Sequence, residues 1–208
     1  MKVDVADVFL AKSGFRDCQF HGACGLDAGI VQAHAMRWVH IQRAAPYEYG
    51  ARAVSLLATP LYSNTTLVCI APSLAYGGTV VLMAKFDALK FLQLAQRHGA
   101  THAMLVPVQY QRIMDLPDFD RFALQSFRMK FCTSAPFAAA LKADILERWP
   151  GGLTEYYGMT EGGGRCILYA HEFPDKLHTV GQPGPRHEIP LVGEEGREGA
   201  RGEDGQIV

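Results

Sequence analysis

The chain has 208 residues, 49 % of them hydrophobic and 10 % aromatic, which is enough to bury a sizeable core and excludes a disordered polymer. With 20 Lys and Arg against 21 Asp and Glu, and no basic cluster, it offers neither a nucleic-acid nor a membrane-binding surface. The five cysteines, Cys18, Cys24, Cys69, Cys132 and Cys166, are scattered without metal-ligand spacing, and no apolar run reaches transmembrane length, so a soluble, cytoplasmic protein is expected.

In chain order, Gly22, Gly25 and Gly29 precede a segment in which Val31, Ala35, Trp38 and Gln42 fall near helical spacing. A glycine-rich loop entering a helix can cradle phosphate with its backbone N–H groups. VSLLAT at 54–59 predicts a buried strand stopped by Pro60. A helix over 64–76 follows, capped by Asn64 and ended by Gly77 and Gly78. TVVLM at 79–83 predicts a strand, and 87–98 a helix with Leu89, Leu92 and Ala95 on one face and Gly99 as its stop. Next come a strand at 102–107, a short helix at 108–114 and a charged surface connection at 116–125, broken by Pro117. A strand at 128–133 turns through Thr133, Ser134, Ala135, Pro136 and Phe137 into a helix over 138–149, whose apolar face is Leu141, Ile145, Leu146 and Trp149. This alternation predicts an α/β fold, a layered and mostly parallel sheet with flanking helices, though it leaves the strand order open.

The run LTEYYGMTEGGG at 153–164 concentrates chemistry in one turn. The Tyr157 ring can stack on a base, the Thr160 hydroxyl can meet a phosphate oxygen, and the Glu161 carboxylate is a hard ligand for Mg²⁺. The alternative is a strand and a glycine-rich turn, with Tyr157 merely packed. Both this turn and the one at Ser134 fall at the carboxyl ends of expected parallel strands, where ligands sit in open α/β sheets. Beyond it, 186–192 and 205–208 predict two strands joined by a solvated turn containing Gly196, Gly199 and Gly202.

YGMTE, Tyr157 to Glu161, resembles the adenine and magnesium motif of the adenylate-forming enzymes, the AMP-binding acyl-CoA synthetases and ligases. The resemblance extends over Ile30 to Val208, through the TPL turn at Thr59, Pro60 and Leu61, AYGGTVVLMAKFD, and VGQP. It implies that Tyr157, Gly158, Met159 and Thr160 hold adenine and phosphate, with Thr160 and Glu161 catalytic and Glu161 on the metal. By the same resemblance Ser134, Ala135 and Pro136 run beside adenine and the acyl group. Val106, Pro107 and Tyr110 line the acyl pocket, although each is equally readable as an ordinary strand-end or core residue. Ser63 stands where many members carry an aromatic residue or histidine.

The implied organisation is an atypical segment at 1–29 in place of the phosphate loop, the α/β part of the AMP-binding domain at 30–170, and the truncated start of a small β subdomain at 171–208. In the atypical segment Ala23 and Cys24 replace hydroxyls, Asp27 a proline and Ala28 a lysine, which a reading-frame disturbance upstream of Gly29 would explain. The implied reaction joins a small-molecule carboxylic acid to ATP with Mg²⁺, giving an acyl adenylate, and then forms a thioester with coenzyme A. Two readings stay open: a fragment of such a ligase, inactive alone, or a non-catalytic truncated domain with residual adenine-nucleotide binding or no function.

Overall fold

The computed structural model describes residues 33–158, 165–185, 189–193, 197 and 205–207. The glycines at 22–29, and Met159, Thr160 and Glu161, lie outside the described residues.

The first element, α1 (His34–Arg43), buries Arg37 and Ile41, while Trp38 is 58 % exposed. The expected apolar face through Trp38 is therefore corrected. Arg37 turns inward because Nη1 donates to Asn64 Oδ1 at 2.5 Å, and a satisfied guanidinium tolerates burial. The same bond corrects Asn64 as a helix cap. In α2 (Asn64–Ala75) the cap position is Ser63, without a side-chain cap bond. Before it stands β1 (Val54–Leu57) and after it β2 (Thr79–Leu82).

Both ends of α3 (Ala88–His98) follow from sequence: Asp87 Oδ1 accepts from Lys90 N at 2.7 Å, and Gly99 closes the helix at φ +59°. Its buried residues are Phe91, Leu92 and Ala95, and Leu89 is 46 % exposed, so the apolar face is rotated from the expected one. Then come β3 (His102–Leu105), α4 (Pro107–Met114), β4 (Met129–Cys132), α5 (Ala139–Arg148) and β5 (Gly152–Gly158). The connection at 116–125 is only partly a surface loop, because Phe119 and Leu124 are buried against the core.

β6 (Arg165–Tyr169), which the sequence pattern did not suggest, returns antiparallel to β5. β7 (Gln182–Pro183) pairs antiparallel with β6, and β8 (Leu191–Val192) with β9 (Gln206–Ile207). The main sheet has the order β2-β1-β3-β4-β5-β6-β7, with parallel pairing from β2 through β5. One core cluster joins Leu56, Phe91, Tyr110, Ile113, Trp149 and Leu153. On the opposite face Tyr47, Leu57, Cys69, Met104 and Phe131 form the second. No helix among the described residues is long and apolar enough to cross a membrane.

Lys130 is fully buried in β4, and Nζ donates to the carbonyls of Trp149, Pro150 and Gly151 at 3.0, 2.7 and 2.7 Å. Its ammonium thereby closes the turn from α5 into β5. Lys130→Met would leave three carbonyls without their donor, and urea unfolding is expected to register a loss of about 2–3 kcal/mol. A loss below about 0.5 kcal/mol would mean that water replaces the ammonium at no cost.

Candidate functional site

In a parallel sheet every strand of a βαβ unit ends on the same edge, so the turns that follow share one rim. Here β3 leads into Val106 and Pro107, β4 into the turn containing Ser134, and β5 ends at Tyr157 and Gly158. The register Cys132↔Glu155 puts the last residue of β4 beside β5 two residues before Tyr157. Ser134, Ala135, Pro136 and Gly158 are all exposed, and Tyr157 is 44 % exposed. Aromatic surface left open at the mouth of a packed sheet is available for stacking.

Ser134 adopts φ +80°, the left-handed region that a Cβ disfavours. Its Oγ lies 3.1 Å from Thr65 Oγ1, which ties the turn to the start of α2. Strain of this kind persists only where its surroundings enforce it, and it concentrates at ligand sites. Ser134→Gly is expected to be more stable than Ser134→Ala by about 1 kcal/mol, the reverse of their order in a helix. Equal denaturation midpoints for the two variants would remove the strain.

Of the other expected positions, Val106 is half-buried, its N–H donating to Gln109 Oε1 at 3.1 Å, and Pro107 is buried as the first residue of α4. Tyr110 is 0 % exposed, donates its hydroxyl to Phe131 O at 2.9 Å and stacks on Phe137 at 5.5 Å. Its ring therefore lies within the core cluster and not on an open acyl wall. The thiols of Cys69, Cys132 and Cys166 are pushed up by burial, Cys69 to about 11, so none is poised as a nucleophile.

Sequence reasoning missed what lies beneath the rim. Glu155 shares the Tyr157 face of β5 and is ion-paired to Lys142 of α5, the two side chains being 5 % and 1 % exposed. Lys142 Nζ also donates to Thr179 O at 3.0 Å, holding the segment that leads to β7. Burial pushes the Glu155 carboxyl above its ordinary range, and Lys142 opposes that shift. The available signal was a lysine beside Leu141 and Ile145 on the apolar side of α5, where an unpaired charge would not be tolerated.

The family model described as AMP-binding enzyme matches residues 26–208. A feruloyl-CoA synthase from Amycolatopsis sp is 31 % identical over 193 residues, covering 90 % of this chain and 38 % of that protein. The 4-coumarate–CoA ligase 5 of Oryza sativa subsp. japonica is 37 % identical over 100 residues, or 46 % of this chain and 19 % of the ligase. The solved amide bond synthetase McbA from Marinactinospora thermotolerans superposes with a TM-score of 0.77 at 27 % identity, covering 88 % of this chain and 37 % of that one. The chain thus spans less than half the length of each of these relatives. By its sheet, its rim and these matches, the chain belongs to the AMP-binding enzyme family and corresponds to part of the N-terminal region of the adenylate-forming acid–CoA ligases.

Proposed function

We propose that the chain carries the adenine- and acyl-holding part of an ATP-dependent acid–CoA ligase. The observation that carries this is the pairing, on one sheet edge, of a half-exposed Tyr157 with the exposed, strained turn at Ser134, Ala135 and Pro136. Tyr157 stacks on adenine while the turn runs beside it, and the Lys142–Glu155 pair supports Tyr157 from below. Gly158 and Met159 continue the adenine contact, Thr160 bonds a phosphate oxygen, and Glu161 ligates Mg²⁺. Val106 and Pro107 contribute to the acyl wall, with Tyr110 as its backing. The substrate class is a carboxylic acid, in keeping with the feruloyl- and 4-coumarate–CoA enzymes among its relatives. Bound Mg²⁺ supplies charge neutralisation at the α-phosphate, and the residues named here supply position.

Calorimetric titration of the 208-residue chain with AMP tests the adenine assignment. Stacking on an aromatic side chain is worth about 1–3 kcal/mol, so Tyr157→Ala should weaken AMP binding by about 5- to 150-fold. Unchanged affinity in that variant would remove Tyr157 from the site.

A second reading, a nucleotide-holding segment without turnover, is favoured by Asp27 and Ala28 standing where the family has proline and lysine. Incubation with ATP, Mg²⁺ and a panel of carboxylic acids separates the two. Pyrophosphate release assigns a self-sufficient ligase, and AMP binding without release assigns the holding segment.

A further inference from the structure

The main sheet ends at β2, whose outer edge pairs with no described strand. Thr79 N donates to Ala53 O at 2.8 Å and Met83 N to Leu57 O at 2.9 Å, so these residues turn their backbone groups toward β1. By the alternation of a pleated strand, the N–H and C=O groups of Val80 and Leu82 point outward, where another strand can reach them.

Sheets ordinarily guard such an edge with a lysine, a proline or a bulge. TVVLM at 79–83 contains neither lysine nor proline, and the unbroken register from Val54↔Thr79 to Leu57↔Leu82 contains no bulge. Leu82 is 51 % exposed, and Leu74 and Tyr76, at the end of α2 and just after it, are exposed as well. Tyr76 is held in place by its hydroxyl, which donates to Ile41 O at 3.2 Å. An apolar edge with outward backbone donors and acceptors is a surface for strand addition.

We propose that the occupant is a second copy of this chain, whose β2 adds antiparallel across a two-fold axis at Val81. Self-complementarity selects a second copy over a foreign strand. With Val81 facing Val81, Val80 of each copy lies opposite Leu82 of the other, and these are the residues whose backbone groups point outward. Each such pair exchanges both N–H···O bonds, so one register satisfies the outward edge of β2 in both copies. The same register brings Lys85 to the level of the partner's Gly77, just beyond the C-terminal end of α2, where the helix dipole favours a cation. The two-fold axis makes this contact on both sides. Because β1, β3 and β4 stand between β2 and β5, the pairing leaves the Tyr157 edge of each copy open, and the inference does not depend on the nucleotide reading.

Sedimentation equilibrium of the 208-residue chain from about 1 to 100 µM tests the association and is expected to show a closed monomer–dimer equilibrium. Leu82→Lys, which puts a charge on the edge beside the axis, should weaken the dimer at least about 10-fold, and Lys85→Glu should weaken it about 3- to 30-fold. Cross-linking reads the register. In a background carrying Cys18→Ser and Cys24→Ser, with oxidised glutathione as the oxidant, Val81→Cys should form an intermolecular disulfide. A non-hydrogen-bonded pair on the axis sets its Cα atoms about 4.5 Å apart, within disulfide reach. Thr79→Cys, which faces Met83 in this register, should form none. A chain monomeric at about 100 µM overturns the proposal and gives the edge to residues 1–32 or to a different polypeptide. Open-ended assembly overturns it by removing the closed two-fold, as does a dimer indifferent to Leu82→Lys. Failure of Val81→Cys to cross-link, or a cross-link through Thr79→Cys instead, overturns the pairing at Val81.

Discussion

Lys142→Met is expected to destabilise the chain by about 3–5 kcal/mol at neutral pH, because it strands the Glu155 carboxylate in a site where only 5 % of that side chain meets solvent. The lysine does more than pair: it donates to Thr179 O and sits over the Phe137 ring at 5.5 Å, so its removal also frees the segment before β7. The pH dependence identifies the mechanism. With Lys142 gone, burial alone acts on Glu155 and holds its folded pKa above the ordinary 4.5. A carboxyl raised on folding binds more protons in the folded than in the unfolded chain, so its contribution is intact below 4.5 and lost as pH rises through the folded value. Urea unfolding of the variant should therefore show its largest deficit at neutral pH and a smaller one near pH 4. The double change Lys142→Met with Glu155→Leu should recover most of the loss, since apolar residues often replace a buried pair without net cost. A deficit below about 1 kcal/mol, or one independent of pH, would show that the pair is solvated.

This pair also shows where the sequence ceases to be legible. Asp87 and Gly99 could be read as the ends of α3 because a cap and a left-handed stop act within a few residues of themselves. The apolar runs of β1, β3 and β4 were legible for a related reason: strands covered on both faces have little polar content. Trp38 and Leu89 misled because large apolar residues dominate a periodicity count wherever they point, whereas burial was decided by distant partners such as Asn64 for Arg37. β6 was hidden because its identity is a pairing with β5 and nothing in RCILY specifies the direction. Of YGMTE, Tyr157 and Gly158 are described, and the strand-end rule placed Ser134 on the same edge as Tyr157, because β4 and β5 are parallel neighbours. The lysines in MKFC and in α5 are different. Each was visible as a charge in an apolar setting, but its partners, the carbonyls of residues 149–151 and Glu155, come from other elements.

Trp149→Ala should cost about 3–5 kcal/mol, comparable to loss of the ion pair, and through a different mechanism. The indole is 0 % exposed and lies at the centre of an aromatic cluster, with ring centroids to Phe127, Phe119, Tyr110 and Phe91 at 5.1, 5.7, 5.9 and 6.0 Å. Truncation to a methyl opens a cavity that four rings drawn from separate segments cannot all close. Trp149→Phe keeps a ring in edge contact and removes the indole Nε1, which is buried without a partner among the described residues. Relief of that unsatisfied donor offsets part of the lost volume, so the Phe variant should lose about 1–2 kcal/mol. Because Trp149 O is one of the carbonyls gripped by Lys130, and Gly152 is registered against Met129, slack at Trp149 passes directly into the start of β5. AMP affinity should consequently fall further in Trp149→Ala than in Trp149→Phe, measured at a temperature where both variants remain folded. If the two changes cost the same, the packing of the indole is not what holds β5, and the tie from core to rim must run through Lys142 and Glu155 alone.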